Sequence, residues 1–431
     1  MEREVIYGEI DMPKSVSFLA FLLIIVGAQH AAAQGIIVSA AGPVNRSMGG
    51  ASTAAPLDAM GAIYWNPATI TQLPADEMGM GLDLLYSNQE VRSTFGPFSG
   101  ETKSDNGAFP IPNFGWVHKT SNPYLTIGLG VNSVAGFKTN LPADPTNLIL
   151  APQPVGMGLV SSEASFLQFA PVGAWQLTDS VSVAVGPTIT TGQLGVQPFV
   201  FSEPNAGGIY PSALASRYHW GAGFQVGAFY KSNHAWQHGV SFKSPTWMDT
   251  FEFHSSDALG GPRKLTAKID LPLILSVGTA YTGFERWLFA LDARYVDYSN
   301  TDGLGDPIQF TPTGKLEGLG WRSVIATAAG AQYQWNDLLS LRTGYTFNQN
   351  PVSNNNAFFN VATPLIYQHM LSAGSSVVLS ESTSCHLAYS YMFENTRTGP
   401  LYTPGIGAVP GSSLDNSLDA HVLSFGLSLR H

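Results

Sequence analysis

From Met78 to the end of the chain, apolar side chains recur at every second position, and this period constrains the fold more than any other feature. "MGMGLDLLYS" sets Met78, Met80, Leu82, Leu84 and Tyr86 on one face and Gly79, Gly81, Asp83 and Ser87 on the other. "WGAGFQVGAFY" separates Trp220, Phe224, Val226 and Tyr230 from Gly221, Gly223, Gln225 and Gly227. "WLFALDARY" groups Trp287, Phe289, Leu291 and Tyr295, with Asp292 and Arg294 opposite. "LSLRTGYTF" and the closing "LSFGLSLRH" repeat the pattern, with Arg342 and Arg430 on their polar faces. Alternation over nine or more residues, with aromatics near the ends, is the signature of a tilted strand that meets lipid on one face and a polar interior on the other.

Weaker runs start near Ile111, Leu125, Phe166, Val181, His238, Leu273, Ile325, Leu371 and His386. With the five clear ones they bring the expected strand number to about fourteen, and bacterial barrels carry an even number. Tight turns are expected at "SNHAW", "GFER" and "QWND". Long loops are expected at 140–162, 197–217, 251–264, 300–321, 350–367 and 396–419. Short turns at one end and long loops at the other are the asymmetry of an outer-membrane barrel.

Composition agrees. Charged residues make up 12% of the 431, about half the share of roughly 25% in soluble domains. Gly (45) and aromatics (9 Trp, 16 Tyr, 24 Phe) fill the gap. A soluble all-β protein of low charge is the alternative that composition alone leaves open. The net charge of −10 and the lack of a basic run argue against nucleic acid as a partner. A single Cys385 excludes an intramolecular disulfide.

The chain opens with an export leader. "SVSFLAFLLIIVGA" is an apolar core of signal-peptide length after Lys14, and Ala31 and Ala33 occupy the small-residue positions of a cleavage site. The core is too short for the roughly 20 residues of a helical span. The expected organisation is a signal peptide over 1–33 (with Met12 as an alternative start), a small helical segment over 34–76 and a barrel over 77–431. In the helical segment, "DAMGAIYWNPATITQLP" reads as two short helices. Asp58 caps the first. Asn66 caps the second, which Pro67 and Ala68 begin, because Pro is tolerated where the N–H has no partner and forces the residue before it out of the helix. A piece this small cannot form its own core and needs a larger body to pack against; a barrel lumen offers one.

These residues carry a family resemblance. The leader "GPVNRSMGGASTAAPLDAMGAIYWNPATITQLP", the run "WGAGFQVGAFYKSNHAWQHGVSFKSPTWMDTFEF", "LPLILSVGTAYTG", "LRTGYTFNQNPV" and the closing strand resemble, in this order, the FadL/TodX family of outer-membrane transporters for hydrophobic compounds. The resemblance implies an all-β fold, a 14-stranded antiparallel transmembrane β-barrel with a helical N-terminal hatch in its lumen. It implies passive uptake of long-chain fatty acids or aromatic hydrocarbons, with exit into the membrane through a kinked third strand. In "YLTIGLGVNSVAGFKTN" the alternation fails at Asn132 and Gly136 follows, so a kink at Asn132, Gly136 and Phe137 is expected; a strand that simply ends at Val131 is the alternative. The ending Leu429-Arg430-His431 departs from the aromatic last residue usual in the family.

Leu148, Ile149, Leu150 and Met157 are apolar for an external loop, as are Phe199 and Phe201 in the next one. They are expected either to contact an apolar substrate or to pack on each other. On the lumen face, Asp292 and Arg294 suggest a wall-stiffening ion pair, and Arg294 and Arg342 are the candidates for a substrate carboxylate. No cofactor, metal or enzymatic activity is expected: "H-E-x-x-H" and "G-x-S-x-G" are both missing. Expected partners are hydrophobic small molecules, outer-membrane lipid and lipopolysaccharide, and the barrel-assembly machinery, with the chain a monomer. The rival readings are a general porin or structural barrel and an outer-membrane enzyme.

Overall fold

A computed structural model describes residues 34–256, 261–403 and 407–431; the expected signal peptide lies outside the described residues. Strands β1 (Glu77–Phe95), β2 (Ala108–Lys119, preceded by Phe98–Lys103 on the same flank of β1), β3 (Leu125–Leu141), β4 (Val160–Gln176) and β5 (Val181–Gln197) form the first part of one antiparallel sheet. It continues through β6 (His219–Lys231), β7 (Trp236–Lys243), β8 (Ile274–Tyr281), β9 (Trp287–Val296) and β10 (Val324–Gln334). The last strands are β11 (Leu339–Asn348), β12 (His369–Val378), β13 (Thr383–Gly399) and β14 (Ser412–Arg430). Because β1 pairs with β2 on one edge and β14 on the other, the fourteen strands close into a barrel. Closure pairs the first strand with the last, so neither end of the sheet is left as a free edge in lipid.

The alternation in the sequence maps onto the wall inside out. On β14, Leu427 is 44% exposed and Ser428 only 1%, so the apolar face points to the membrane and the polar face to the lumen. On β9, Trp287 and Tyr295 face outward while Asp292 and Arg294 are buried. Beside the short turns the aromatics cluster: Trp236 on Tyr281 and Trp287 on Tyr333, each pair with ring centres 4.7 Å apart. Such rings suit the membrane–water boundary, where one edge is apolar and the other wet.

The N-terminal segment lies against the inner wall. Its helix α1 (Gly42–Ser47) touches β12, β13, β14 and β1, and α2 (Ala59–Trp65) touches β2 and β3. Asp58 Oδ1 accepts from the Gly61 N–H at 3.1 Å and so caps α2. Asn66 Oδ1 accepts from the Ala68 N–H at 3.2 Å and caps the next turn, Pro67–Gln72. That second element is a 3₁₀ helix and not an α-helix, which fits a short run opened by Pro and filled with β-branched Thr69, Ile70 and Thr71. Helix α1, formed by GPVNRS, lies upstream of the two helices that the sequence pattern announces.

Glycine in the wall is what lets this segment lie so close. A Cβ on Gly115 of β2 would stand 2.7 Å from the Met60 N, one on Gly330 of β10 2.6 Å from the Met48 O, and one on Gly426 of β14 2.7 Å from Pro43 Cγ. The Gly positions opposite each apolar face are therefore contact points for a backbone inside the barrel.

At the long-loop end the loops pack on the lumen and on one another. Loop 244–273 carries a hairpin (Phe251–Ser256 with Pro262–Ala267) that the sequence pattern did not announce. Phe199, Phe253, Leu265, Leu316 and Trp321 share one buried cluster with Ile36 and Phe137.

Candidate functional site

The barrel wall is interrupted between β2 and β3, over the half of their length nearer the long loops. Their ladder runs from Lys119 opposite Thr126 to Asn113 opposite Asn132 and stops there. Beyond it, β3 stays paired to β4 as far as Leu141 opposite Val160, but its register shifts between Ser133 and Ala135. This is a β-bulge, and a bulge bends the strand and re-aims its side chains. Before it the even-numbered residues of β3 are the buried ones; after it Phe137, Thr139 and Leu141 are. Beyond the gap, the connection that precedes β2 reaches β3, where the Asp105 N–H donates to the Asn140 carbonyl at 2.8 Å.

The edge that β2 leaves vacant is taken by the N-terminal segment. The Val38 N–H donates to the Val134 carbonyl at 3.0 Å, and the Gly136 N–H donates to the Ile36 carbonyl at 3.2 Å. Tyr298 anchors the start of this segment by donating its hydroxyl to the Gln34 carbonyl at 2.6 Å, and Tyr64 donates to the Val38 carbonyl at 2.7 Å. Gly136 is required here by space: a Cβ would stand 2.9 Å from the ring of Phe109 and from the Ala164 carbonyl.

Two cavities flank the break. The outer one, about 100 Å³, is lined by aromatic Phe137, Phe201, Phe310, Trp321, Phe358 and Phe359, together with Ile149 and Met157. Of its described lining residues only Glu163 is charged. The inner one, about 60 Å³, reaches from Arg46 to Ile111 and Gly136 at the interrupted edge. Ile36 and Phe137 line both cavities and so form the partition between them.

Of the loop residues expected at a substrate, the fold brings Ile149, Met157 and Phe201 to the outer cavity. Leu150 is buried instead against Val91, Leu141 and Leu414. Phe199 sits behind Phe201, with ring centres 5.8 Å apart, and packs on Phe253. Leu148 is half-buried on β1, its N–H donating to Ser93 Oγ at 2.9 Å. The two loops do meet, since the Tyr210 N–H donates to Gln153 Oε1 at 2.7 Å.

The lumen charges reach beyond the wall. Asp292 and Arg294 form an ion pair at 2.7 Å, but Asp292 Oδ2 also accepts from the N–H groups of Ser52 and Thr53 at 2.9 and 3.0 Å. Arg294 donates to the Gly50 carbonyl at 2.5 Å. The pair thus ties the N-terminal segment to β9. Asn66 adds a tie to β6, donating to the carbonyls of Thr53 and Ala228 at 2.8 and 2.9 Å. Arg342 stands apart, donating to Gln332 Oε1 and Ser376 Oγ, each at 2.6 Å.

Arg46 and Asp83, which the sequence reading did not single out, form a second buried pair at 2.7 Å beside the inner cavity. Each was visible as the lone charge in an uncharged stretch. The pairing neutralises Arg46, while Lys138 is a second cation on the wall of this cavity.

A family model described as "Outer membrane protein transport protein (OMPP1/FadL/TodX)" matches residues 23–431. Among solved structures the chain is similar to the P. putida toluene transporter TodX, with 16% identity and a TM-score of 0.67 over 91% of this chain and 99% of that one. It is similar to a Pseudomonas aeruginosa FadL homologue, with 15% identity and a TM-score of 0.70 over 92% and 99%. It is also similar to the Ralstonia pickettii toluene transporter TbuX, with 17% identity and a TM-score of 0.65 over 91% and 99%. At these identities the likeness is one of fold. No curated protein sequence matches the chain.

Proposed function

The chain belongs to the OMPP1/FadL/TodX family of outer-membrane transport proteins, and from that membership we propose that it takes up uncharged or weakly polar hydrophobic molecules and releases them sideways into the bilayer. The family is made of transporters for hydrophobic compounds, and its barrel places the chain in the outer membrane. The observation that carries the finer reading is the interrupted β2–β3 ladder, with apolar cavities leading to it from the long-loop side.

Lipopolysaccharide slows greasy molecules at its polar surface, so an apolar path past that layer suffices and no energy source is needed. A molecule binds among the loop aromatics in the outer cavity, where burial of its apolar surface provides the driving force. It passes Ile36 and Phe137 into the inner cavity and leaves at Gly136. Residues 34–76 act as a hatch that blocks the axial route. In the outer cavity, aromatic lining without a basic residue favours a neutral ring over a carboxylate, since a carboxylate taken from water without a partner is strongly disfavoured; the inner cavity carries Arg46 and Lys138 on its wall.

Uptake of a radiolabelled single-ring hydrocarbon by cells carrying the wild-type chain, Gly136→Val or a deletion of 132–136 tests this reading. Both variants are expected to fold and to lose uptake. Undiminished uptake by a folded deletion variant defeats the lateral route, and rapid sugar-driven swelling of liposomes holding the wild-type protein favours a general porin.

A further inference from the structure

We propose that Pro110 and Pro112 of β2 hold the lateral opening, by removing the hydrogen-bond donors with which β2 could close onto β3. The inference rests on the lateral-exit reading for its functional consequence, though not for its geometry.

The β1–β2 ladder is unbroken from Glu77 opposite Val117 to Tyr86 opposite Ala108, and it runs straight through Leu84 opposite Pro110 and Leu82 opposite Pro112. In an antiparallel pair, alternate residues turn their N–H and C=O groups to one edge and the intervening residues to the other. Proline has no N–H. An unbroken ladder to β1 therefore uses Phe109, Ile111 and Asn113, and the two prolines turn their backbone to the opposite edge, the one that faces β3.

Continuing the β2–β3 register past Asn113 opposite Asn132 would set Pro112 against Ser133 and Pro110 against Ala135. These are the residues between which β3 bulges. The two irregularities thus face each other: one strand lacks donors where the other has stepped out of register. Proline within a sheet is confined to edges and bulges, and here it makes an internal edge in a closed wall. The vacancy on β3 is filled by the bonds from Val38 and to Ile36. Were β2 able to donate at 110 and 112, it would compete with the N-terminal segment for the same edge. The opening is in this view a fixed feature of the wall, and what lies across it is the N-terminal segment.

The test restores both donors with Pro110→Thr/Pro112→Thr, threonine being well suited to strands. Two readouts are taken on the full chain in outer membranes or detergent: hydrogen exchange of the new amides, and uptake of a radiolabelled single-ring hydrocarbon. The expected result is slow exchange at 110 and 112 together with a severalfold loss of uptake in a barrel that still migrates as folded. Exchange as fast as in the exposed turns, with uptake unchanged, overturns the proposal. Slow exchange with unchanged uptake leaves the role of the prolines standing and defeats lateral exit instead, so the two failures are distinguishable. If the double variant does not fold, Pro112→Thr alone carries the same readouts at the pair nearest the intact ladder.

Discussion

The guanidinium of Arg294 lies 3.5 Å over the ring of Trp65, so a cation on the barrel wall grips the N-terminal segment by its largest buried side chain. The same guanidinium neutralises Asp292, which in turn receives the backbone of Ser52 and Thr53. Arg294 thus holds the segment directly at Trp65 and at the Gly50 carbonyl, and through Asp292 at Ser52 and Thr53.

Arg294→Ala should therefore do more than remove a stacking contact. It leaves Asp292 as a buried charge with only neutral donors, and breaking such a pair costs about 3–5 kcal/mol. The expected outcome is a lower unfolding midpoint and a raised, noisy conductance in planar bilayers as the segment loosens. The double variant Asp292→Asn/Arg294→Met should recover much of the midpoint, because it removes both charges together. A midpoint for Arg294→Ala equal to that of wild type would show that the pair is not a tether.

The wall glycines give a graded prediction. At Gly115 a Cβ meets the backbone N of Met60 at 2.7 Å, and backbone cannot yield. At Gly79 it meets the mobile tip of the Met60 side chain at 3.1 Å. Gly115→Ala should displace α2 and admit sugars to proteoliposomes, whereas Gly79→Ala should stay sealed. Equal swelling rates for the two would mean that the segment is not held by close approach to the wall.

The contrast between these features and the ligand path marks what a sequence can carry. The strand pattern was legible because the wall separates lipid from lumen residue by residue, so Leu427 and Ser428 declare their sides without any tertiary knowledge. The caps at Asp58 and Asn66 were legible for the same local reason; the alternation expected to fail at Asn132 fails just after it, between Ser133 and Ala135. The cavities were not. Their walls come from loops far apart in the chain, held by contacts such as Trp321 Nε1 donating to Asn360 Oδ1 at 2.6 Å and Phe310 against Phe359 at 5.7 Å. Nor does "GIIVS" carry any mark that it completes an edge of β3. That role depends on the two prolines of β2, whose significance needs the register of three strands.

Asp58 predicts a pH dependence. Burial, reinforced by the nearby charge of Glu77, pushes its carboxyl from the ordinary 3.8 up to about 7. Its Oδ2 is buried without a hydrogen-bond partner, while Oδ1 caps α2. A carboxyl whose pKa rises on folding binds its proton more tightly in the native state. The stability this brings is full below pH 3.8 and is lost progressively as the pH rises through about 7. Asp58→Asn keeps a capping oxygen and abolishes the titration. Its unfolding midpoint should exceed that of wild type above neutrality and converge with it in acid. A constant difference across the range would place the effect in the cap and not in the charge.

The partition between the cavities can be opened from one side. Ile36 belongs to the N-terminal segment and Phe137 to β3 just past the bulge, and both line the outer and the inner space. Phe137→Ala removes a ring that is 9% exposed, and truncating a buried Phe ordinarily costs about 3–5 kcal/mol. Here part of the vacated volume joins two existing cavities, so the loss should fall at the lower end. The functional effect should depend on ligand size. Uptake of two-ring hydrocarbons should rise relative to single-ring ones, because the wider passage relieves a steric limit that small rings do not meet. Ala164→Phe, directly beside Phe137 across the β3–β4 ladder and also lining the outer cavity, should lower uptake of both. Parallel uptake assays with the two ligand sizes separate these outcomes, and a Phe137→Ala variant whose size preference matches wild type would mean that the partition lies elsewhere on the path.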